Sequence, residues 1–129
     1  MANTFLRKTS KSVGIAASDS TWWQVGASTA GASQTGAYTV AASTTTTVIG
    51  FSITNVTSSS VDVDVAIGTT MANVTTDVAL ASSVPIPSGS TLVLFGGDQK
   101  LNMVTGDLIK IKSAANSSVD VVMSVLEIT

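Results

Sequence analysis

Two stretches carry ionisable side chains at regular spacing. In "SVDVDVAIG" (60–68), Asp62 and Asp64 are separated by one residue, and in "LIKIK" (108–112) Lys110 and Lys112 repeat that spacing. Paired carboxylates can ligate a metal or act as an acid and a base. They can also keep one face of a strand wet. The alternation favours the wet face: in an extended chain Val61, Val63, Val65 and Ile67 share one side, and Asp62, Asp64 and Ala66 share the other. The two acids then stand about 7 Å apart along the strand. A calcium site gathers loop oxygens with carbonyls turned inward, whereas the carbonyls of a strand are taken up by its ladder. The lysines lie opposite Ile109 and Ile111 in the same way. Asp62, Asp64, Lys110 and Lys112 are therefore candidates for a cross-strand charge ladder, worth about 0.2–1 kcal/mol per pair. Water or a neighbouring subunit are the other environments open to them. No metal and no cofactor is expected.

The remaining chemistry is sparse. The chain has no His and no Cys, which excludes disulfides, Cys/His zinc sites, His-dependent triads and Cys nucleophiles. "GGDQK" (96–100) lacks the helix that a phosphate loop opens, so it reads as a turn entering a strand. Asn55, Asn73 and Asn116 match the glycosylation pattern, but among 38 Ser and Thr such matches arise by chance. No catalytic set emerges, and a non-enzymatic protein is expected.

Two features suit contact with partners. Trp22 and Trp23 are adjacent in a chain with only 5% aromatics. In a strand they point to opposite faces, so the outward one is an interface anchor or a sugar-stacking platform, the alternative being that both pack inside. The N-terminal "TFLRKTSKSVG" places Phe5, Leu6, Arg7, Lys8 and Lys11 on a small basic arm. Nucleic acid would demand a larger basic patch, and the net charge is −2. Phe5, Leu6, Arg7, Lys8, Lys11, Trp22 and Trp23 are the candidate subunit interface. The N-terminus has no apolar run of the signal-peptide kind, and no apolar stretch is long enough for a membrane helix, so a protein without membrane attachment is expected.

The elements behind these residues are strands. Ser, Thr and Val supply 55 of 129 residues, and β-branched side chains fit a pleated surface. Only 11% of residues are charged, and none between Asp19 and Asp62. Such a neutral surface suits a subunit covered by its neighbours. "TTTTVIGFSITN" alternates with Ile49, Phe51 and Ile53 on one face and Thr46, Val48, Gly50, Ser52 and Thr54 on the other. "VDVDVAI", "DVALAS", "TLVLF", "KLNMV", "LIKIK" and "VDVVMSVLEIT" follow as strands, with "VPIPSGS" as a turn because of Pro85 and Pro87. About eight short strands predict an all-β antiparallel sandwich, jelly-roll or immunoglobulin-like. Residues 1–18 form an extended arm or first strand. Residues 19–129 form one domain, with a loop-rich, Trp-containing segment at 19–37.

"YTVAASTTTTVIGFSITN", "VDVDVAI", "PIPSGSTLV", "GGDQKL", "GDLIKI" and "SVDVVMSVLEI", together with the N-terminal "NTFLRKTSKSVG", resemble a group of small virion structural proteins of tailed bacteriophages, notably phages of marine bacteria and cyanobacteria. The resemblance covers the arm and residues 38–128, while Asp19 to Gly36, with both Trp, looks like an insertion. It implies a β-sandwich present in many copies and localised in a virion assembled in the bacterial cytoplasm. The implied role is head decoration or cement, or alternatively a neck, collar or tail component. The implied partners are a major capsid protein or neck and tail proteins, with a homo-oligomer expected and no nucleic acid or membrane. A carbohydrate-binding module using Trp22 or Trp23 is the more distant alternative.

Overall fold

The structure, a computed structural model, describes residues 3–15, 22–27, 37–69, 77–96 and 99–129. Among these residues there are nine strands and no helix: β1 (Asn3–Val13), β2 (Trp23–Gln24), β3 (Thr45–Asn55), β4 (Val61–Gly68), β5 (Val78–Ile86), β6 (Thr91–Phe95), β7 (Leu101–Met103), β8 (Leu108–Ser113) and β9 (Val119–Ile128). They form two antiparallel sheets. The first has the order β1-β9-β3-β6, with β7 also pairing β3; the second has the order β2-β8-β4-β5. The chain changes sheet at every connection except β4–β5 and β6–β7. That winding is a jelly roll, with β6 and β7 sharing one strand position.

The core is what the alternation demands. Val61, Val63 and Val65 of β4 and Ile109 and Ile111 of β8 face Val48, Phe51 and Ile53 of β3 and Val121, Met123 and Val125 of β9, all essentially without solvent contact. The phase of β3 differs from the sequence expectation in its first half. A register shift between Val48 and Gly50, against β9, inserts one residue. Thr46 and Val48 therefore join Phe51, Ile53 and Asn55 on the buried face, and Ile49 is only half-buried. A β-bulge reverses the parity of everything before it, which strict alternation cannot anticipate.

The proline turn is also corrected. β5 runs through Pro85 to Ile86, with Pro85 opposite Asp62. It can do so because β5 is the edge of its sheet, where a missing N–H costs no ladder bond. The turn comes later, at Gly89, whose φ of 71° favours glycine. Residues 16–21, 28–36 and 70–76 lie outside the described residues, and with them most of the 19–37 segment and the Asn73 glycosylation pattern. The part of that segment that is described is built into the fold: β2 pairs β8, and Val25 and Ala27 are buried.

Two polar clusters close the ends of the sandwich. Asn55 is fully buried; its amide nitrogen donates to the carbonyls of Ser59 and Ile86, each at 2.8 Å, and its oxygen accepts from Thr57 N–H and Oγ1. That full set of bonds holds the β3–β4 turn and leaves no free nitrogen for a glycan. The other cluster centres on Tyr38, whose hydroxyl donates to Glu127 Oε2 and bonds Thr46 Oγ1, each at 2.7 Å. Burial, reinforced by Glu127, pushes the Tyr38 phenol up to about 12 despite the opposing bond from Thr46. The unfolded chain loses that proton near pH 10 while the folded chain holds it, so stability is complete below pH 10 and falls as pH rises toward 12. The expected loss is about 2–3 kcal/mol. Thermal melts across this range should show it in the native chain and not in Tyr38→Phe.

Candidate functional site

Two surfaces gather the side chains singled out by the sequence. One is the outer face of the second sheet. Of the four charged residues there, only Asp64 and Lys112 stand directly opposite each other; Lys110 stands opposite Ala66, and Asp62 opposite Pro85. The β4–β8 register is offset from the one that would align both acids with both lysines, and no ion pair joins these acids to these lysines.

Each of the four has its own environment. Asp62 is exposed. Asp64 Oδ1 accepts the N–H of Ser83 at 2.8 Å. Ser83 has a φ of 49° and lies where β5 places extra residues opposite Asp64, between the pairs Val63–Val84 and Val65–Ala81. The carboxylate thus takes up an N–H that the bulge removes from the ladder. The first sheet repeats the device: Ser12, with a φ of 59°, donates its N–H to Asp120 Oδ1 at 2.9 Å beside the β1 register shift. Asp64→Ala should therefore cost about 0.5–1.5 kcal/mol. Asp62→Ala should stay within about 0.5 kcal/mol of the native chain. Urea denaturation of the two variants separates them.

Lys112 places its Nζ 4.6 Å from the centre of the Trp22 ring, a cation–π contact. Trp22 and Trp23 are both half-buried, and Trp23, opposite Ile111, packs against the core.

Lys110 differs most from the sequence expectation. It is not on a wet face: its side chain is completely buried, and Nζ contacts Oδ2 of Asp77, itself 8% exposed. The strand between them explains how. Ala66 and Gly68 lie on this face of β4, so no side chain larger than a methyl stands between β8 and the start of β5. A Cβ at Gly68 would overlap Oδ1 of Asp77. Lys110 lies along this trough to reach Asp77. Gly68→Ala should push Asp77 out of place at a cost of about 1–3 kcal/mol, read as a lower urea midpoint. The signal in the sequence was present but unread: "AIG" breaks the acidic pattern of its face with two small residues. Asp77 itself was not singled out.

The second surface is the outer face of the first sheet. Register places Phe5, Arg7 and Thr9 of β1 beside Leu126, Ser124 and Val122 of β9, then Gly50 and Ser52 of β3, then Val93 of β6. Thr9, Val122, Ser52 and Val93 form one row across four strands. Phe5 is 73% exposed, Val93 65% and Val122 41%. Among the described residues the charged side chains on this face are Arg7, Lys11 and Asp120, the last two 3.7 Å apart. Leu6 and Lys8 turn the other way: Leu6 packs against the core, and Lys8 Nζ lies 5.7 Å over the Tyr38 ring. The arm residues are thereby divided, with Phe5, Arg7 and Lys11 outward and Leu6 and Lys8 inward.

Among the described residues no group of three or more acidic side chains could hold a metal, and no cavity of ligand size opens. No protein-family model matches the sequence, and no curated protein matches it. Solved structures with a similar course of the chain include the globular domain of zebrafish complement 1qA protein, at 12% identity over 97% of this chain and 95% of that one, with a TM-score of 0.41. The extra small virus of the giant freshwater prawn Macrobrachium rosenbergii, solved as a virus-like particle, is similar at 10% identity over 98% of this chain and 79% of that one, with a TM-score of 0.42. The T13 particle of IBDV is similar at 14% identity over 97% of this chain and 30% of that one, with a TM-score of 0.40. Likeness at this level bears on no activity, and the strand order above stands without it.

Proposed function

We propose that this chain is a non-enzymatic structural subunit of a tailed-phage virion, serving as a decoration or cement protein across joints of the capsid shell. The observation that carries this reading is the outer face of the first sheet. Among the described residues its charges are Arg7 and the Lys11–Asp120 pair, and it is marked by the exposed Phe5, Val93 and Val122. Isolated exposed apolar residues are ordinary, but a face poor in charge with apolar points in register suits packing against another protein. The stretches that resemble small virion proteins add support, because they supply β1, β3, β4 and β6 to β9, most of this sandwich. A cement subunit works by burying area in many repeated contacts, each of standard size at about 1,200–2,000 Å². Phe5 and Arg7 on edge strand β1 would lie at the rim of that contact.

The face can be tested by charge. Phe5→Glu with Val122→Lys places two new charges on solvent-exposed positions, so folding should be unaffected. Binding to virions of the encoding phage stripped of this subunit should weaken at least about tenfold, equivalent to about 1.4 kcal/mol. Unchanged binding by a variant with a native melting temperature would remove this face from the account. A neck, collar or tail position predicts the same loss on those complexes and none on shells.

A further inference from the structure

We propose that Lys110 and Asp77 condense to an amide, an intramolecular cross-link between β8 and the residue that opens β5. Three observations carry it. The amine nitrogen and the carboxyl group are in direct contact, and both side chains are buried, at 0% and 8% exposure. The other carboxyl oxygen, Oδ1, is buried without a hydrogen-bond partner. The trough floored by Ala66 and Gly68 holds the two groups together and allows the carboxyl little room to turn away.

As an ion pair, this arrangement is poorly resolved. A carboxylate presents two oxygens that need donors, and here one has none. Two charges are also withdrawn from water. Condensation removes both charges and one of the two oxygens, leaving a neutral carbonyl that is less costly to bury than a carboxylate oxygen. The ammonium of Lys110 passes a proton to Asp77, leaving an amine and a carboxylic acid. The nitrogen attacks Cγ, the C–N bond forms, the C–O bond breaks, and the departing hydroxyl leaves with a second nitrogen proton as one water. No oxidant, reductant or further reactant enters, and the product is a neutral amide with one carbonyl oxygen. Enforced proximity supplies what two free groups in water lack, and the dry site opposes the return of water. The cross-link ties the second sheet together across β8, β4 and β5. It does not depend on the assignment to a virion.

The experiment is the intact mass of the full chain, unfolded before measurement, followed by tryptic peptide mapping. The expected mass is one water below that of the sequence, with a branched peptide joining the segments around Asp77 and Lys110 and no cleavage after Lys110. Lys110→Arg and Asp77→Ala should have their full sequence masses. Asp77→Asn should condense with loss of ammonia instead and give the wild-type product mass. A wild-type chain at full sequence mass, cleaved after Lys110, overturns the proposal whether or not any variant folds. So does a loss of water that maps to another residue.

Discussion

Asp77→Ala should be among the most damaging single substitutions in this protein, at about 3–5 kcal/mol. The partner it removes belongs to a lysine with no exposure to solvent. Without that counter-charge the ammonium stays in the trough at an electrostatic cost or is drawn out to water, and drawing it out opens the packing over Ala66 and Gly68. Adding Lys110→Met should recover the part of the loss that comes from the stranded ammonium, since an apolar chain of similar length fits the same floor, and not the part that comes from a lost cross-link. A double-mutant cycle by urea denaturation measures the coupling, which should exceed that of an exposed pair severalfold. A cost below about 1 kcal/mol for Asp77→Ala would place the pair in water instead.

The second large effect concerns the centre of the sandwich. Phe51 is 1% exposed and meets Phe95 edge to face, with ring centres 6.3 Å apart and planes at 88°. Phe51→Ala removes the largest fully buried side chain of the core, so the expected loss is about 3–5 kcal/mol. Val93→Ala, two residues from Phe95 on a strand with an outward-facing side chain, should change stability by no more than about 0.5 kcal/mol. The pair of measurements checks the parity of β3 and β6 directly. If Val93→Ala were the costlier variant, the two faces of the first sheet would be exchanged.

The same parity shows what the sequence revealed. β4 and β9 were legible because buried positions alternate with outward ones along Val61–Val65 and Val119–Val125, and β-branched residues mark most of the buried face. The first half of β3 was not, because "TTTTVIG" fits either phase and the bulge at Ile49 chooses between them through its pairing with β9. Pro85 misled for a related reason: whether a proline can stand in a strand depends on whether that strand is an edge, and edges are set by the order of the whole sheet. The charged residues were the least legible. "LIKIK" does not tell a wet lysine from a buried one, since burial of Lys110 rests on Asp77, 33 residues earlier, and on two small residues of a third strand. Asp64 likewise depends on a bulge in β5 that nothing around it in sequence announces.

The central claim is that this sandwich is a part of a particle. It is tested most directly by mixing the purified chain with expanded shells, neck complexes and tail tubes of the phage that encodes it, and sedimenting each. The account predicts saturable co-sedimentation with shells, at a fixed number of copies per shell set by the symmetry of the capsid lattice. Saturable binding to necks or tails alone would move the subunit along the particle. A chain that stays in the supernatant with all three would contradict a structural role in the virion.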